Sequence, residues 1–290
     1  MNIGFIGLGN MGLPMAQNLQ QAGHQVTGYD VADISSDSLN IVGSMAEAVE
    51  HADVVITMLP SGSILCDVAD EIIPKMRKGT VHLDCSTVDV ESAREVAMAA
   101  QNAGLMALDA PVSGGVGGAS AGTLTFMVGG SDEAFKIAEE LFDCMGQKAV
   151  HCGPSGNGQA AKICNNMILG ATMIATCEAF SLADKLGLDR QSMFDVVSTS
   201  SGYSWSMNAY CPAEGIGPTS PADNGYAPGF SAALMKKDLG LSQQAAVGVG
   251  AETPMGLRAY ELYSEFVDEF EQGHMDFSAM LPHLAAKIRS

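Results

Sequence analysis

The segment Ile3–Gly12, I-G-F-I-G-L-G-N-M-G, constrains this chain more than any other stretch. A short apolar run suited to a buried strand leads into Gly7, Gly9 and Gly12, spaced G-x-G-x-x-G. The residues after Gly12 carry a helical pattern closed at Gly23. Each glycine has a separate physical task. Gly7 makes the tight turn, Gly9 lets the backbone approach a pyrophosphate, and Gly12 lets helix and strand pack closely. The helix start offers N–H groups and the positive end of a dipole to that anion. The next predicted strand, Gln25–Tyr29, leads to Asp30, 23 residues past Gly7. That is near the spacing of about 20 expected for an acid that accepts from the adenosine ribose hydroxyls. Its charge repels a 2′-phosphate and no Arg follows nearby, so the pattern favours NAD over NADP.

Charge sharpens the reading. The formal net charge is −19 with only 14 Lys and Arg, which argues against nucleic acid or an anionic membrane as a partner. An anionic ligand must then be held by backbone N–H groups and a few placed cations. The seven cysteines form no C-x-x-C pair, and their odd count fits reduced thiols in a reducing cytoplasm. The six histidines show no metal-ligand spacing, so no metal site is expected. A strand reads directly from Asn2 with no basic region before it, so no signal or transit peptide is expected. The most apolar stretch, Met167–Cys177, is 11 residues long, too short to span a bilayer.

The first half alternates strands and helices. Strands are expected at Ile3–Ile6, Gln25–Tyr29, Val54–Met58, Val81–Leu83, Leu105–Leu108, Leu124–Val128 and Ala149–His151. Helices are expected at Gly12–Ala22, Ser44–Glu50, Val90–Asn102 and Asp132–Phe142. That alternation predicts an α/β, Rossmann-type doubly wound sheet that is mostly parallel. From Gly158 to about Leu186 no turn signal stops a helix. Further helices are expected at Arg190–Ser198, Phe230–Gly248 and Pro254–Glu271. The chain therefore divides into residues 1–158, a dinucleotide-binding unit, and 159–290, an all-α domain. Between Thr199 and Pro228 lies a Ser/Gly/Pro/Asn-rich loop with the one tryptophan, Trp205. Loops that long are usually functional.

A second chemical cluster opens the long helix. In G-N-G-Q-A-A-K-I-C-N-N (156–166), Lys162 and Asn166 are i, i+4 neighbours. Lys162 enters an otherwise apolar helix, where burial lowers an amine's pKa and suits it to proton exchange. The plain alternative is a lysine snorkelling to water. Asn166 could orient the amine or bind a substrate oxygen. In D-A-P-V-S-G-G (109–115), Ser113, Gly114 and Gly115 offer a hydroxyl and bare N–H groups that suit a carboxylate. A tight glycine turn accounts for them equally well.

These motifs together resemble the β-hydroxyacid dehydrogenase family over essentially the whole chain. They are G-L-G-N-M-G-x-x-M-A-x-N-L at 7–19, D-A-P-V-S-G-G at 109–115, G-x-G-x-x-x-K-x-x-N-N at 156–166 and K-D-L at 237–239. The resemblance implies NAD-dependent oxidation of a small 3-hydroxy carboxylic acid, nearest to the members acting on 3-hydroxyisobutyrate. It also implies assembly into a homodimer or homotetramer through the helical domain. By resemblance, Gly9, Asn10 and Met11 meet the pyrophosphate and Asp30 the ribose. Leu59 and Pro60 line the cofactor cleft, Ile64 follows its adenosine side, and Thr87 lies beside the nicotinamide ribose. Lys162 matches the catalytic lysine. Ser113, Gly114, Gly115 and Asn166 match substrate-binding positions, and Lys237 matches a lysine that closes over the cofactor. Siblings acting on tartronate, glyoxylate or succinic semialdehyde or on L-serine share these positions. An inactive dinucleotide-binding module is the non-enzymatic alternative, and such relatives lose the lysine.

Overall fold

The computed structural model describes residues 1–287. The chain divides into two compact units, Met1–Lys162 and Ile163–Ser290. In the first unit the elements run β1 (Asn2–Ile6), α1 (Gly12–Gln21), β2 (Gln25–Tyr29), β3 (Asn40–Ile41), α2 (Met45–Val49), β4 (Val54–Thr57) and α3 (Gly62–Ile72). They continue through β5 (Val81–Asp84), α4 (Val90–Asn102), β6 (Met106–Asp109), β7 (Val112–Ser113), α5 (Gly115–Ala121), β8 (Leu124–Gly130), α6 (Asp132–Met145) and β9 (Gly146–His151). The strand order is β3-β2-β1-β4-β5-β6-β8, with β7 and β9 also paired to β8. From β3 to β6 every pairing is parallel, as expected. The chain lays strands outward from β1 first to one side and then to the other, and such a switch point opens a crevice outside the strands' carboxyl ends.

Burial explains the strands. All four residues of β4 and of β5 are buried, as a central parallel strand covered on both faces requires. One face packs Phe5, Ile56 and Leu83 against Met15 and Leu19 of α1 and Leu141 and Phe142 of α6. The other packs Ile6 and Val55 against Val49 of α2, Leu65 and Ile72 of α3, and Val96 and Ala100 of α4. Each of the larger side chains among these contributes roughly 1.5–3 kcal/mol. The departure from a parallel sheet is local. β6 and β7 lie along β8 antiparallel, with Leu108, Asp109, Val112 and Ser113 opposite Gly130, Gly129, Phe126 and Thr125.

The second unit is helical. α7 (Asn157–Leu186) begins in the first unit and runs 30 residues. After it come α8 (Arg190–Val197), α9 (Trp205–Asn208), α10 (Ala232–Val249), α11 (Pro254–Ser264) and α12 (Met280–Lys287). Three expectations shift. The helix expected from Phe230 starts at Ala232, where Ser231 Oγ accepts the Leu234 N–H as an N-cap. The helix expected to reach Glu271 leaves α-geometry after Ser264 for a π-helical turn at Glu265–Glu269. The 11-residue apolar run also understates α7, which is long and apolar enough to cross a membrane by length and composition. Half of its most apolar window is buried inside the protein, as in the core helix of a globular unit.

The 199–228 loop is held by its own bonds. Trp205 stacks on Tyr210 at 4.8 Å. Ser220 and Asp223 form a capping box, and the Tyr226 hydroxyl donates to the Pro212 carbonyl.

Candidate active site

The turn after β1 is built as its glycines demand. Gly7 has φ +92°, and a Cβ there would strike the Met58 carbonyl. A Cβ on Gly12 would collide with the Gly7 carbonyl and press on the Phe5 ring. Gly9 differs, because a Cβ there would meet nothing within 4 Å. The protein does not need that glycine for its own packing, and the open backbone suits close approach of a ligand. The α1 start supports the same reading. Its N-cap, Met11, makes no side-chain cap bond and its first turn holds no acid. By contrast α2, α3, α4, α6, α8, α9 and α10 are all capped by a Ser or Asp side chain. First-turn N–H groups have no partner within a helix, so an uncapped, glycine-opened start fits a pyrophosphate.

Asp30 sits directly beside this turn. Its Oδ2 accepts the Leu8 N–H at 2.6 Å and its Oδ1 accepts the Ala32 N–H at 2.8 Å. The carboxylate is thereby fixed at the end of β2, half-buried, with lone pairs left for ribose hydroxyls. Leu59 and Pro60 follow β4, and Ile64 lies in the first turn of α3, 41% exposed. Thr87 follows β5. Asp30, Leu59, Pro60 and Thr87 thus lie in the segments that follow the carboxyl ends of β2, β4 and β5.

A buried polar network beneath that edge was not foreseen. The Leu59 N–H donates to Ser86 Oγ at 2.8 Å, and Ser86 Oγ–H donates to Asp84 Oδ1 at 2.5 Å. The same oxygen accepts the Ser86 N–H at 3.2 Å and the Thr57 hydroxyl at 2.8 Å. Thr57 Oγ1 also lies 3.2 Å from His82 Nε2. Since the hydroxyl donates to Asp84, the imidazole must supply the proton to Thr57. Burial pushes the Asp84 carboxyl up to about 7, against the pull of the Ser86 and Thr57 bonds. Burial alone drives His82 down to about 4. Asp109, at the end of β6, accepts the N–H groups of Gly156 at 2.7 Å and Gln159 at 3.0 Å. Its carboxyl is also raised by burial, with those bonds opposing.

Ser113 ends β7, followed by Gly114 (φ +137°) and Gly115 (φ +62°). Both glycines lie in the region that side chains avoid, so the segment is both a glycine turn and a stretch with bare amides. Lys162 is 7% exposed, which excludes a snorkelling side chain. Asn166, one turn along α7, is 2% exposed. Its Nδ2 donates to Asp238 Oδ2 at 2.5 Å and its Oδ1 accepts from Asn165 Nδ2 at 2.9 Å. One N–H and one lone pair of that amide are left over by these two bonds. Lys237 Nζ lies 3.7 Å from Asp238 Oδ1. Asp238, buried within the K-D-L segment, was not singled out in the sequence, although its position in that motif was a signal.

A glycine-opened helix start, an aspartate fixed at the end of β2 and a buried lysine are the features of a nicotinamide dinucleotide-dependent dehydrogenase. Two family models cover the chain. The NAD binding domain of 6-phosphogluconate dehydrogenase matches residues 2–153, and the NAD-binding domain of NADP-dependent 3-hydroxyisobutyrate dehydrogenase matches residues 156–284. A 3-hydroxyisobutyrate dehydrogenase of Pseudomonas aeruginosa is 45% identical over 288 residues, covering 96% of this chain and 97% of that one. An NAD-dependent L-serine dehydrogenase of the same organism is 46% identical over 271 residues, covering 90% of each. The solved Mycobacterium tuberculosis 3-hydroxyisobutyrate dehydrogenase with L-serine superposes with a TM-score of 0.94 at 46% identity, over 97% of this chain and 98% of that one. The chain belongs to the 3-hydroxyisobutyrate dehydrogenase family of NAD-dependent oxidoreductases.

Proposed function

We propose that the chain oxidises 3-hydroxyisobutyrate to methylmalonate semialdehyde, a step of valine catabolism, with Lys162 as acid/base. The observation that carries this reading is a buried lysine one helical turn before a buried, oriented asparagine, in a chain with a complete dinucleotide turn. NAD, when bound, supplies the hydride acceptor. Gly9, Asn10 and Met11 hold its pyrophosphate on the turn that Gly7 and Gly12 build, and Asp30 holds its ribose. Leu59, Pro60, Ile64, Thr87 and Lys237 complete its contacts. The Ser113 hydroxyl and the Gly114 and Gly115 amides hold the substrate carboxylate. Asn166 binds the substrate oxygen with the N–H and lone pair that Asp238 and Asn165 leave. Lys162 takes the hydroxyl proton as the carbinol C–H bond breaks with its electron pair, and the C=O bond forms. In reverse, Lys162 returns that proton.

Lys162→Ala is expected to lower kcat by about a hundredfold or more with NAD affinity kept. Near-normal turnover would remove Lys162 from the role. A second reading takes L-serine as substrate, supported by the L-serine dehydrogenase relative and by the L-serine named with the solved relative. Rates with NAD across 3-hydroxyisobutyrate, L-serine, 3-hydroxypropionate and glycerate separate the two. The highest kcat/KM for L-serine would overturn the first.

Assembly through the helical unit belongs to the same proposal, supported by the exposed Ile168, Leu182, Leu186 and Val196. The seven free thiols support a reducing, cytoplasmic setting. The acidic charge supports small-molecule partners over nucleic acid or membrane.

A further inference from the structure

Gln159 lies three residues before Lys162 on α7 and is fully buried. Its side chain does not cap its own helix. Its Nε2 donates to the Ser86 carbonyl at 2.8 Å, and its Oε1 accepts the Val88 N–H at 3.1 Å. The amide thus pairs with both sides of Thr87, as a neighbouring strand would pair with a residue in a ladder. No strand does so there, because the chain has already left β5. A primary amide offers the donor and the acceptor for that task in one plane without depending on a protonation state. The anchor is itself anchored. The Gln159 N–H donates to Asp109 at the end of β6. Gly158 sits so close to the sheet that a Cβ would strike the carbonyls of Met127 and Asp109. The first turn of α7 is therefore locked to the strand ends, and through Gln159 to the loop that carries Thr87.

We infer that Gln159 is a positioning residue that fixes Thr87 relative to the helix bearing Lys162, and so sets the separation of hydride acceptor and proton acceptor. This rests on the reading above, in which Thr87 lies beside the nicotinamide ribose and Lys162 moves the proton. The geometry predicts a local effect at the nicotinamide end. The adenosine end depends on the Gly7–Gly12 turn and Asp30, to which Gln159 makes no bond.

The test uses the full chain with Gln159→Leu, which removes both bonds at similar volume. Gln159→Glu keeps the acceptor and loses the donor. Val96→Ala, a core truncation on α4, controls for lost stability. In Gln159→Leu, kcat with the best hydroxy acid is expected to fall about tenfold or more, since small misplacements of reacting groups are costly. NADH binding should weaken about fivefold while ADP-ribose binding stays within about twofold, a split that general loosening does not produce. Gln159→Glu should fall between parent and Gln159→Leu. Val96→Ala should lower the melting temperature without lowering kcat. The inference is overturned if kcat of Gln159→Leu stays within about twofold of the parent, or if ADP-ribose and NADH weaken in parallel. It is equally overturned if neither Gln159 variant folds, since the residue then serves the fold alone. An active Lys162→Ala would sink the underlying reading instead. An inactive Lys162→Ala beside a normal Gln159→Leu would sink only this inference.

Discussion

Asp84 in the sheet unit and Asp276 in the helical unit are both buried, yet they are used in opposite ways. Asp276 is fully satisfied. Its Oδ2 accepts the Tyr210 hydroxyl at 2.8 Å and the N–H groups of Gly229 and Phe230 at 3.0 and 3.1 Å. Its Oδ1 accepts the N–H and hydroxyl of Ser278 at 3.0 and 2.6 Å. One carboxylate thereby ties the end of the long 199–228 loop, the entry to α10 and the approach to α12 together. Asp84 collects three donors on Oδ1, while Oδ2 is buried with no hydrogen-bond partner. Native structures leave few buried polar atoms in that state, and those that persist usually serve something beyond the fold. Here the half-satisfied group sits under the loops that carry Leu59 and Thr87. The contrast teaches that a buried carboxylate can close a fold, as Asp276 does, or stay half-satisfied under a loop edge at some cost in stability, as Asp84 does.

The comparison can be broken most decisively at Asp276. Asp276→Ala strands five donors, three of them backbone N–H groups, and should cost about 3 kcal/mol or more in urea unfolding. The folded fraction should bind NADH normally. An unfolding curve like the parent's would remove the contrast. The next effect is expected at Asp84, and it depends on pH. The folded-state pKa of about 7 lies above the unfolded value of 3.8. Between those values the folded chain keeps a proton that the unfolded chain has lost, so this group makes stability fall as pH rises. His82 acts oppositely, because its folded value of about 4 lies below 6.5. Its contribution makes stability rise over that window and so opposes that of Asp84.

Asp84→Asn keeps Oδ1 as an acceptor and removes the titration. Its stability relative to the parent should improve as pH rises from about 4 to about 7, by up to about 4 kcal/mol, and then level off. Unfolding at three pH values across that range checks this, and a pH-independent gap would refute the assigned cost. The smallest stability change belongs to Asp30, which is half-buried and accepts two backbone N–H groups. Asp30→Ala should cost less than about 1.5 kcal/mol, while the NAD-over-NADP preference narrows by roughly tenfold or more as a like-charge repulsion is lost. Equal use of NADP by the parent would count against Asp30 as the ribose acid.

What could be read from the sequence follows the range of the interactions. β1, β4 and β8 announce themselves as apolar runs, β2 and β5 as short apolar–polar alternations, and α4 and α7 as long patterns with clear ends. The Gly7–Gly12 turn is legible because each glycine answers a constraint within a few residues. α5 is not legible, because G-V-G-G-A-S-A has poor helix propensity and forms in its tertiary setting. α3 carried readable signals in its N-cap Ser61 and its buried Leu65, Ala69 and Ile72, and these were passed over. The polar network was out of reach for a physical reason. Gln159 meets Ser86 across 73 positions and Asn166 meets Asp238 across 72. No periodicity or local motif encodes a pairing at that separation.

Gly9 separates folding from function more sharply than its two neighbours. At Gly7 and Gly12 a larger residue injures the protein itself, so quality control in the cell would clear such variants along with their activity. At Gly9 the space is open, and a single codon change to valine or serine leaves the architecture intact, while under the proposed pyrophosphate contact it would obstruct the dinucleotide. A lineage drifting away from catalysis therefore has an inexpensive exit at this position, and would persist as an abundant, well-made and inert polypeptide.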